Sequence, residues 1–202
     1  DTPDRLLNLY KAAEACGNED RVVTFASTSK VSFPGGGVAA LASSPANIGQ
    51  IKKRWFLSTI GYDKINMLRH VRYFGNLEGI QAHMKRHAAL LRPKFQIVLD
   101  CLERHFHGKG IARWNCPRGG YFVSVHLMEG CAAETLRLLS EAGVVMTPAG
   151  ATYPYGKDPN DSVVRIAPTF PPIEELSAAM ELFCICAELA CGRKLLEMRK
   201  AG

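Results

Sequence analysis

Lys30 is the residue whose setting most invites a chemical reading. It ends the run Ser27-Thr28-Ser29-Lys30, and Pro34-Gly35-Gly36-Gly37 follows shortly after. Most lysines are solvated surface charges, so the residue type alone says little. Here small hydroxyl residues precede the amine, a glycine-rich turn follows it, and short apolar runs flank the segment, Arg21 to Phe25 and Val38 to Ala42. Those runs predict two buried strands with Lys30 in the loop between them. An amine at the edge of a buried sheet loses hydration. That disfavours the ammonium form and frees a nucleophile able to condense with an aldehyde. The hydroxyls of Ser27 and Ser29, together with loop N–H groups, could bind a phosphate.

Other reactive residue types carry weaker signals. His83 and His87 have the i, i+4 spacing that can place two ligands on one helix face. No third ligand or general-base glutamate accompanies them as in His-Glu-x-x-His, so they read as polar helix residues and no metal site is expected. The seven cysteines are odd in number and irregularly spaced, with no Cys-x-x-Cys pair. This fits free thiols in a reducing cytosol better than a disulfide framework. Cys184, Cys186 and Cys191 fall in an apolar C-terminal segment, where core filling is the expected role.

The elements that must position these residues follow from periodicity and punctuation. Residues 5–16 read as an amphipathic helix ending near Gly17-Asn18. Ser43-Ser44 before Pro45 is a helix start, with a helix through Trp55 and another from Asp63 to Tyr73. From Leu77 to about Phe106 the pattern is helical and long, broken only by Pro93, and could carry the chain from one domain to the next. WNCPRGGYFVSVHL then reads as a hairpin turning at Pro117-Arg118-Gly119-Gly120. Ala132 to Ala142 is a helix stopped by Gly143, Val144 to Met146 a short strand, and a loop rich in Pro, Gly and Asp runs to Asp161. Val163 to Ile166 is another strand, and Pro171-Pro172 starts a final helix to about Leu196. The chain is α/β, without internal repeats, and a domain boundary is expected near residue 76.

Composition narrows the classes. With 202 residues, 47% hydrophobic and 22% charged, the chain can bury a core of one large or two small domains. It has no apolar run long enough to cross a bilayer and no visible signal peptide, so no membrane partner is expected and a cytoplasmic location is. The net charge is +6, but the basic clusters Lys52-Lys53-Arg54 and Lys85-Arg86-His87 fall in helical segments without interleaved aromatics. They read as solvated helix faces rather than a nucleic-acid surface. A positive field could still draw in anionic substrates.

Three ordered segments carry a family resemblance. FASTSKVSFPGGGVAAL resembles the cofactor-lysine segment of fold-type I pyridoxal-phosphate (PLP) enzymes. PRGGYFVSV resembles the hairpin that opens their small domain. TPAGATYPYGKDPNDSVVRIAPTFPPIEEL resembles the stretch that carries their carboxylate-binding arginine, and its wording is similar to a bacterial-type subgroup of aspartate aminotransferases within the class I/II superfamily. The match covers essentially the whole chain. It implies the PLP-dependent transferase fold type I, with residues 1–75 as the C-terminal part of the large domain and a partial sheet. Residues 76–202 would then be a linking helix and a small α+β domain.

The resemblance also implies an activity and roles. The activity is transamination between an amino acid, aspartate or glutamate, and a 2-oxo acid, in a homodimer. Ser27, Ser29 and Lys30 would bind the cofactor, with Lys30 as its covalent anchor and proton carrier. Arg165 would grip the substrate α-carboxylate; a surface arginine at a strand end is the alternative for that residue. Arg69, with Arg72 next in line, would read a distal carboxylate from the partner subunit; a helix-surface arginine is the alternative there. One departure stands out. Many relatives hold the cofactor phosphate with an arginine where this chain has Gly37.

The family's other half precedes the lysine and supplies the ring that stacks on PLP and the acid that pairs with its pyridine nitrogen. Neither is locatable here, so the sequence reads as a piece of a longer enzyme with incomplete chemistry. Two other classes stay open: an aminotransferase-like sensor domain of a transcriptional regulator, and a non-catalytic homologue. A winged-helix segment upstream would favour the first, and an upstream half lacking the pyridine-pairing acid the second.

Overall fold

The lysine segment folds back on itself as a hairpin. In the computed structural model, which describes residues 6–32 and 35–201, β1 (Thr24–Ser27) pairs antiparallel with β2 (Ala39–Ala42), Thr24 opposite Ala42 and Ser27 opposite Ala39. Helix α1 (Leu9–Glu14) precedes the hairpin, shorter than the expected residues 5–16, of which Arg5 lies outside the described residues. The expected first strand also begins later than Arg21, because Glu19–Arg21 closes a 3-10 turn. The two strands are not buried within this chain, contrary to expectation, and Phe25 is 73% accessible. A two-stranded ribbon whose second strand is mostly alanine has too little apolar surface to bury itself.

Local chemistry starts each helix of this region. Ser44 caps α2 (Pro45–Ser58), its Oγ accepting the Asn47 N–H at 3.3 Å, and Pro45 takes the first turn, where its missing N–H costs nothing. The Asn47 side-chain amide donates to the Asp20 carbonyl at 2.8 Å and to Ser43 Oγ at 2.9 Å, which pins the helix start to the run entering β1. Asp63 caps α3 (Lys64–Phe74), which stops at Gly75 in the left-handed region. Helix α4 (Leu77–Phe106) follows and passes through Pro93.

The chain divides into two compact units, and the division falls inside α4, between Ala88 and Ala89. The C-terminal unit holds the apolar core. Its hairpin is the expected one: β3 (Ala112–Trp114) pairs with β4 (Val123–Leu127), and β4 pairs with β5 (Val163–Ile166), all antiparallel in the order β3-β4-β5. Period-two alternation turns Val123, Val125 and Leu127 inward with Val164 and Ile166, leaving Ser124 and Arg165 as a cross-strand pair on the other face. Val98, Leu102 and Phe106 of α4 complete the core with α5 (Ala132–Glu141) and with Leu176, Met180, Phe183 and Ala187 of α6 (Ile173–Ala201). Burying each such large side chain is worth about 1.5–3 kcal/mol.

Two expectations in this unit need correction. Val144 to Met146 is not a strand. After α5 the Val144 N–H donates to the Leu139 carbonyl and the Gly143 N–H to the Ser140 carbonyl, each at 3.0 Å, with Gly143 at φ 90°. The helix cap consumes the donor that a ladder would need. The final helix runs beyond Leu196 to Ala201, since Arg193 to Ala201 consists of good helix formers with nothing to stop it.

Candidate active site

Lys30 stands in a turn built by Thr28. The Thr28 carbonyl accepts the N–H groups of Val31 at 2.9 Å and Ser32 at 2.8 Å, one helical turn that carries the chain past the lysine. The Thr28 N–H donates to the Val38 carbonyl at 2.9 Å, and Thr28 Oγ1 accepts the Val38 N–H at 2.8 Å. The two ends of the loop are thereby tied beyond the last pair of the hairpin. Lys30 itself is exposed in this chain rather than set against a buried sheet.

Ser27 and Ser29 meet at the start of this turn. Their Oγ atoms lie 2.7 Å apart, and Ser27 Oγ accepts the Ser29 N–H at 3.1 Å. Gly37 completes the cradle. A Cβ built there would lie 2.4 Å from Ser29 Oγ and 3.0 Å from Ser29 Cα, so any larger residue would push the Ser29 hydroxyl and backbone aside. The missing side chain at Gly37 is what lets Ser29 approach the backbone. The Pro34 end of the glycine turn lies outside the described residues.

Sequence reasoning missed His70. From α3 its Nδ1 donates to the Asn66 carbonyl at 2.9 Å, which leaves Nε2 as the acceptor in the neutral ring. Nε2 lies 3.0 Å from Thr28 Oγ1 and 3.2 Å from Ser32 Oγ. Asn66, one turn earlier, donates its side-chain amide to the Gly37 carbonyl at 3.3 Å, and its buried Oδ1 has no hydrogen-bond partner among the described residues. Helix α3 therefore holds both ends of the lysine loop. The i, i+4 spacing of Asn66 and His70 was visible in the sequence, but nothing in it pointed at Thr28. An apolar pocket of about 270 Å³, lined by Val38, Met67, His70, Phe74 and Ile80 among others, opens beside this clamp. Arg69 is exposed on the same helix.

Arg165 belongs to the other compact unit. It sits mid-strand in β5, on the sheet face away from the core, opposite Ser124. Its guanidinium carbon lies 4.5 Å from the centroid of the Phe122 ring, which fixes the plane of the fork. Its buried Nε has no hydrogen-bond partner among the described residues. An oriented guanidinium with an unmatched inner donor is suited to a planar carboxylate. His83, expected to be a polar helix residue, is instead buried, with its ring edge-on to Tyr73 and Phe74 and 4.2 Å from that of His87.

The fold is that of the fold-type I PLP-dependent transferases. The chain superimposes on an aspartate transaminase of Corynebacterium glutamicum with a TM-score of 0.89 at 39% identity, covering 95% of this chain and 45% of that one. An α-aminoadipate aminotransferase of Thermus thermophilus, solved with N-(5'-phosphopyridoxyl)-L-leucine, shares the fold at 23% identity with a TM-score of 0.74, over 95% of this chain and 48% of that one. A curated aspartate aminotransferase of Corynebacterium glutamicum is 40% identical over 190 residues, 92% of this chain. The family model for aspartate amino-transferases matches residues 1–199, and the chain belongs to that family. It spans 43% of the length of that curated relative.

Proposed function

We propose that this chain provides the cofactor lysine and the carboxylate grip of a PLP-dependent transaminase acting between aspartate or glutamate and a 2-oxo acid. The observation that carries this reading is the Thr28-built turn presenting Lys30 beside the Ser27–Ser29 hydroxyl pair and the Gly37 cradle. The hydroxyl pair and the close backbone approach fit a phosphate, and the neighbouring amine fits an aldehyde. PLP, when bound, supplies the electron sink for reactions at the amino-acid α-carbon.

The rest is the work of this chain's own groups. Lys30 Nζ anchors the cofactor and, once displaced by the substrate amine, takes and returns the α-proton. Ser27 and Ser29 donate hydroxyls to the phosphate. Arg165, its plane set by Phe122, receives the substrate α-carboxylate through two parallel N–H donors. Arg69 reads the distal carboxylate across a homodimer interface. No helix among the described residues is long and apolar enough to cross a membrane, and we place the enzyme in the cytoplasm.

The test is chemical. The protein is incubated with stoichiometric PLP, reduced with borohydride and mapped by peptide. The phosphopyridoxyl label should fall on Lys30 and vanish in Lys30→Ala. A label on another lysine, or spread over several, would remove the assignment.

A further inference from the structure

We propose that α4 and α6 hold a site for a divalent transition-metal ion of the Zn2+ type, ligated by Cys101, His105 and Glu181, with Cys184 as the fourth ligand. The inference rests on no part of the transaminase reading. All four residues lie in the C-terminal unit, on facing surfaces of two helices.

Spacing comes first. Cys101 and His105 are four residues apart on α4, and Glu181 and Cys184 three apart on α6. Each pair therefore shares one helix face. The ligand atoms of Cys101, His105 and Glu181 all lie within 4.8 Å of one another. Cys101 Sγ is 3.7 Å from Glu181 Oε1 and 3.7 Å from Cys184 Sγ. A tetrahedral Zn2+ with bonds to sulfur of about 2.3 Å separates two sulfurs by about 3.8 Å. The two thiols already stand at that separation.

The outer groups agree. His105 Nε2 faces Glu181 Oε2 at 2.8 Å, while its Nδ1 faces Glu188 Oε1 at 3.3 Å. A carboxylate behind the second ring nitrogen is the usual support of a metal-bound imidazole, since it fixes the tautomer and raises ligand basicity. Lys109 holds that carboxylate at 2.6 Å, and Arg104 holds Glu181 Oε1. Arg104 also offsets the charge left when two thiolates and a carboxylate meet one dication. The sulfurs are buried, whereas the His105 and Glu181 side chains are 18% and 36% accessible, which gives an ion a path from solvent. Two soft sulfurs with one imidazole and one carboxylate favour Zn2+ over Mg2+ or Ca2+. On binding, the ion takes the place of the proton shared by His105 and Glu181, and two thiol protons leave to solvent.

Cobalt(II) reports on such a site by colour. Titrated into the 202-residue chain under reducing conditions, it should bind at one equivalent, with tetrahedral visible bands and a thiolate charge-transfer band, both erased by Zn2+. His105→Gln should abolish the tetrahedral spectrum. Glu188→Gln, at a side chain that meets the imidazole and Lys109 but none of the four ligand atoms, should weaken binding about ten- to a hundredfold. Both side chains reach solvent, so circular dichroism should show intact folds. Cys101→Ser should diminish the charge-transfer band, and Cys191→Ala, at a buried thiol that faces the Ile111 carbonyl instead, should leave it unchanged. Absence of the band in the parent chain, or its persistence in both His105→Gln and Glu188→Gln, would reduce the cluster to an ion-pair network.

Discussion

The two units of this chain use apolar residues in opposite ways. Beyond Ala88 they converge: Phe106, Phe183, Leu102 and Leu139 are fully buried around one core. Before it they face outward. Phe56, Leu57, Ile60 and Ile65 are exposed, and Phe74 is the one buried apolar side chain among the described residues of that unit. What orders the N-terminal unit is polar: Thr28, Ser43, Ser44, Asn47, Asn66 and His70 tie loops to helix ends through specific hydrogen bonds. One unit rests on burial, which is additive and insensitive to direction. The other rests on directional bonds, each worth about 1 kcal/mol net, and Lys30 sits there.

That contrast can be broken most sharply in the core. Phe183→Ala should cost about 3–5 kcal/mol in the C-terminal unit, whereas Phe56→Ala, at a side chain 70% exposed, should stay within about 0.5 kcal/mol. Urea titrations of the two variants measure this, and equal costs would dissolve the distinction. The next effect is polar. Thr28→Val keeps the shape but strands the Val38 N–H and deprives His70 Nε2 of a donor, at a cost of about 1–3 kcal/mol. Limited proteolysis should then cut between residues 28 and 38 sooner, with the C-terminal unit unaffected.

The smallest effect asks whether directional bonds also matter in the core-based unit. Asp158 carries a carboxyl held below its usual range. Partial burial works against the shift, but the N–H groups of Ser162, Val163 and Asn160 outweigh it. Such a group stabilises the fold above the unfolded carboxyl value of about 3.9, and the contribution is lost as pH falls through the lower native value. Asp158→Asn should cost about 1 kcal/mol at neutral pH and flatten the acid side of the stability profile. Melting curves taken as pH is lowered would show it.

Sequence legibility followed a different divide, between local and long-range signals. The hairpin at Pro117 to Gly120, β5 and the caps at Ser44 and Gly143 were readable because their signals are local: turn residues, period-two alternation and hydroxyls before a helix. Ser27 and Ser29 meet because they are two residues apart in one turn. The burial of β1 and β2 was misjudged, since an apolar run reports what a strand can bury and not what covers it. Val144 to Met146 read as a strand because propensity does not reveal a donor already spent on a cap. The Thr28–His70 contact and the Cys101–Glu181 cluster join residues 42 and 80 positions apart. No pattern within either segment announces its partner.

Helix α4 is continuous in residues but not in hydrogen bonds. Pro93 has no N–H to offer, so the carbonyl of Ala89, the first residue of the C-terminal unit, goes without its intrahelical donor. In regular i→i−4 pairing the Arg92 amide reaches back to the Ala88 carbonyl and the Lys94 amide to the Leu90 carbonyl, so the missing rung falls between the two units. A helix with one rung missing at that point need not open as a single cooperative segment. Amide exchange along α4 should therefore step rather than grade. Its first turns should exchange at the rate set by the hydrogen-bonded lysine-loop unit, and its last turns should be as slow as the core they pack against.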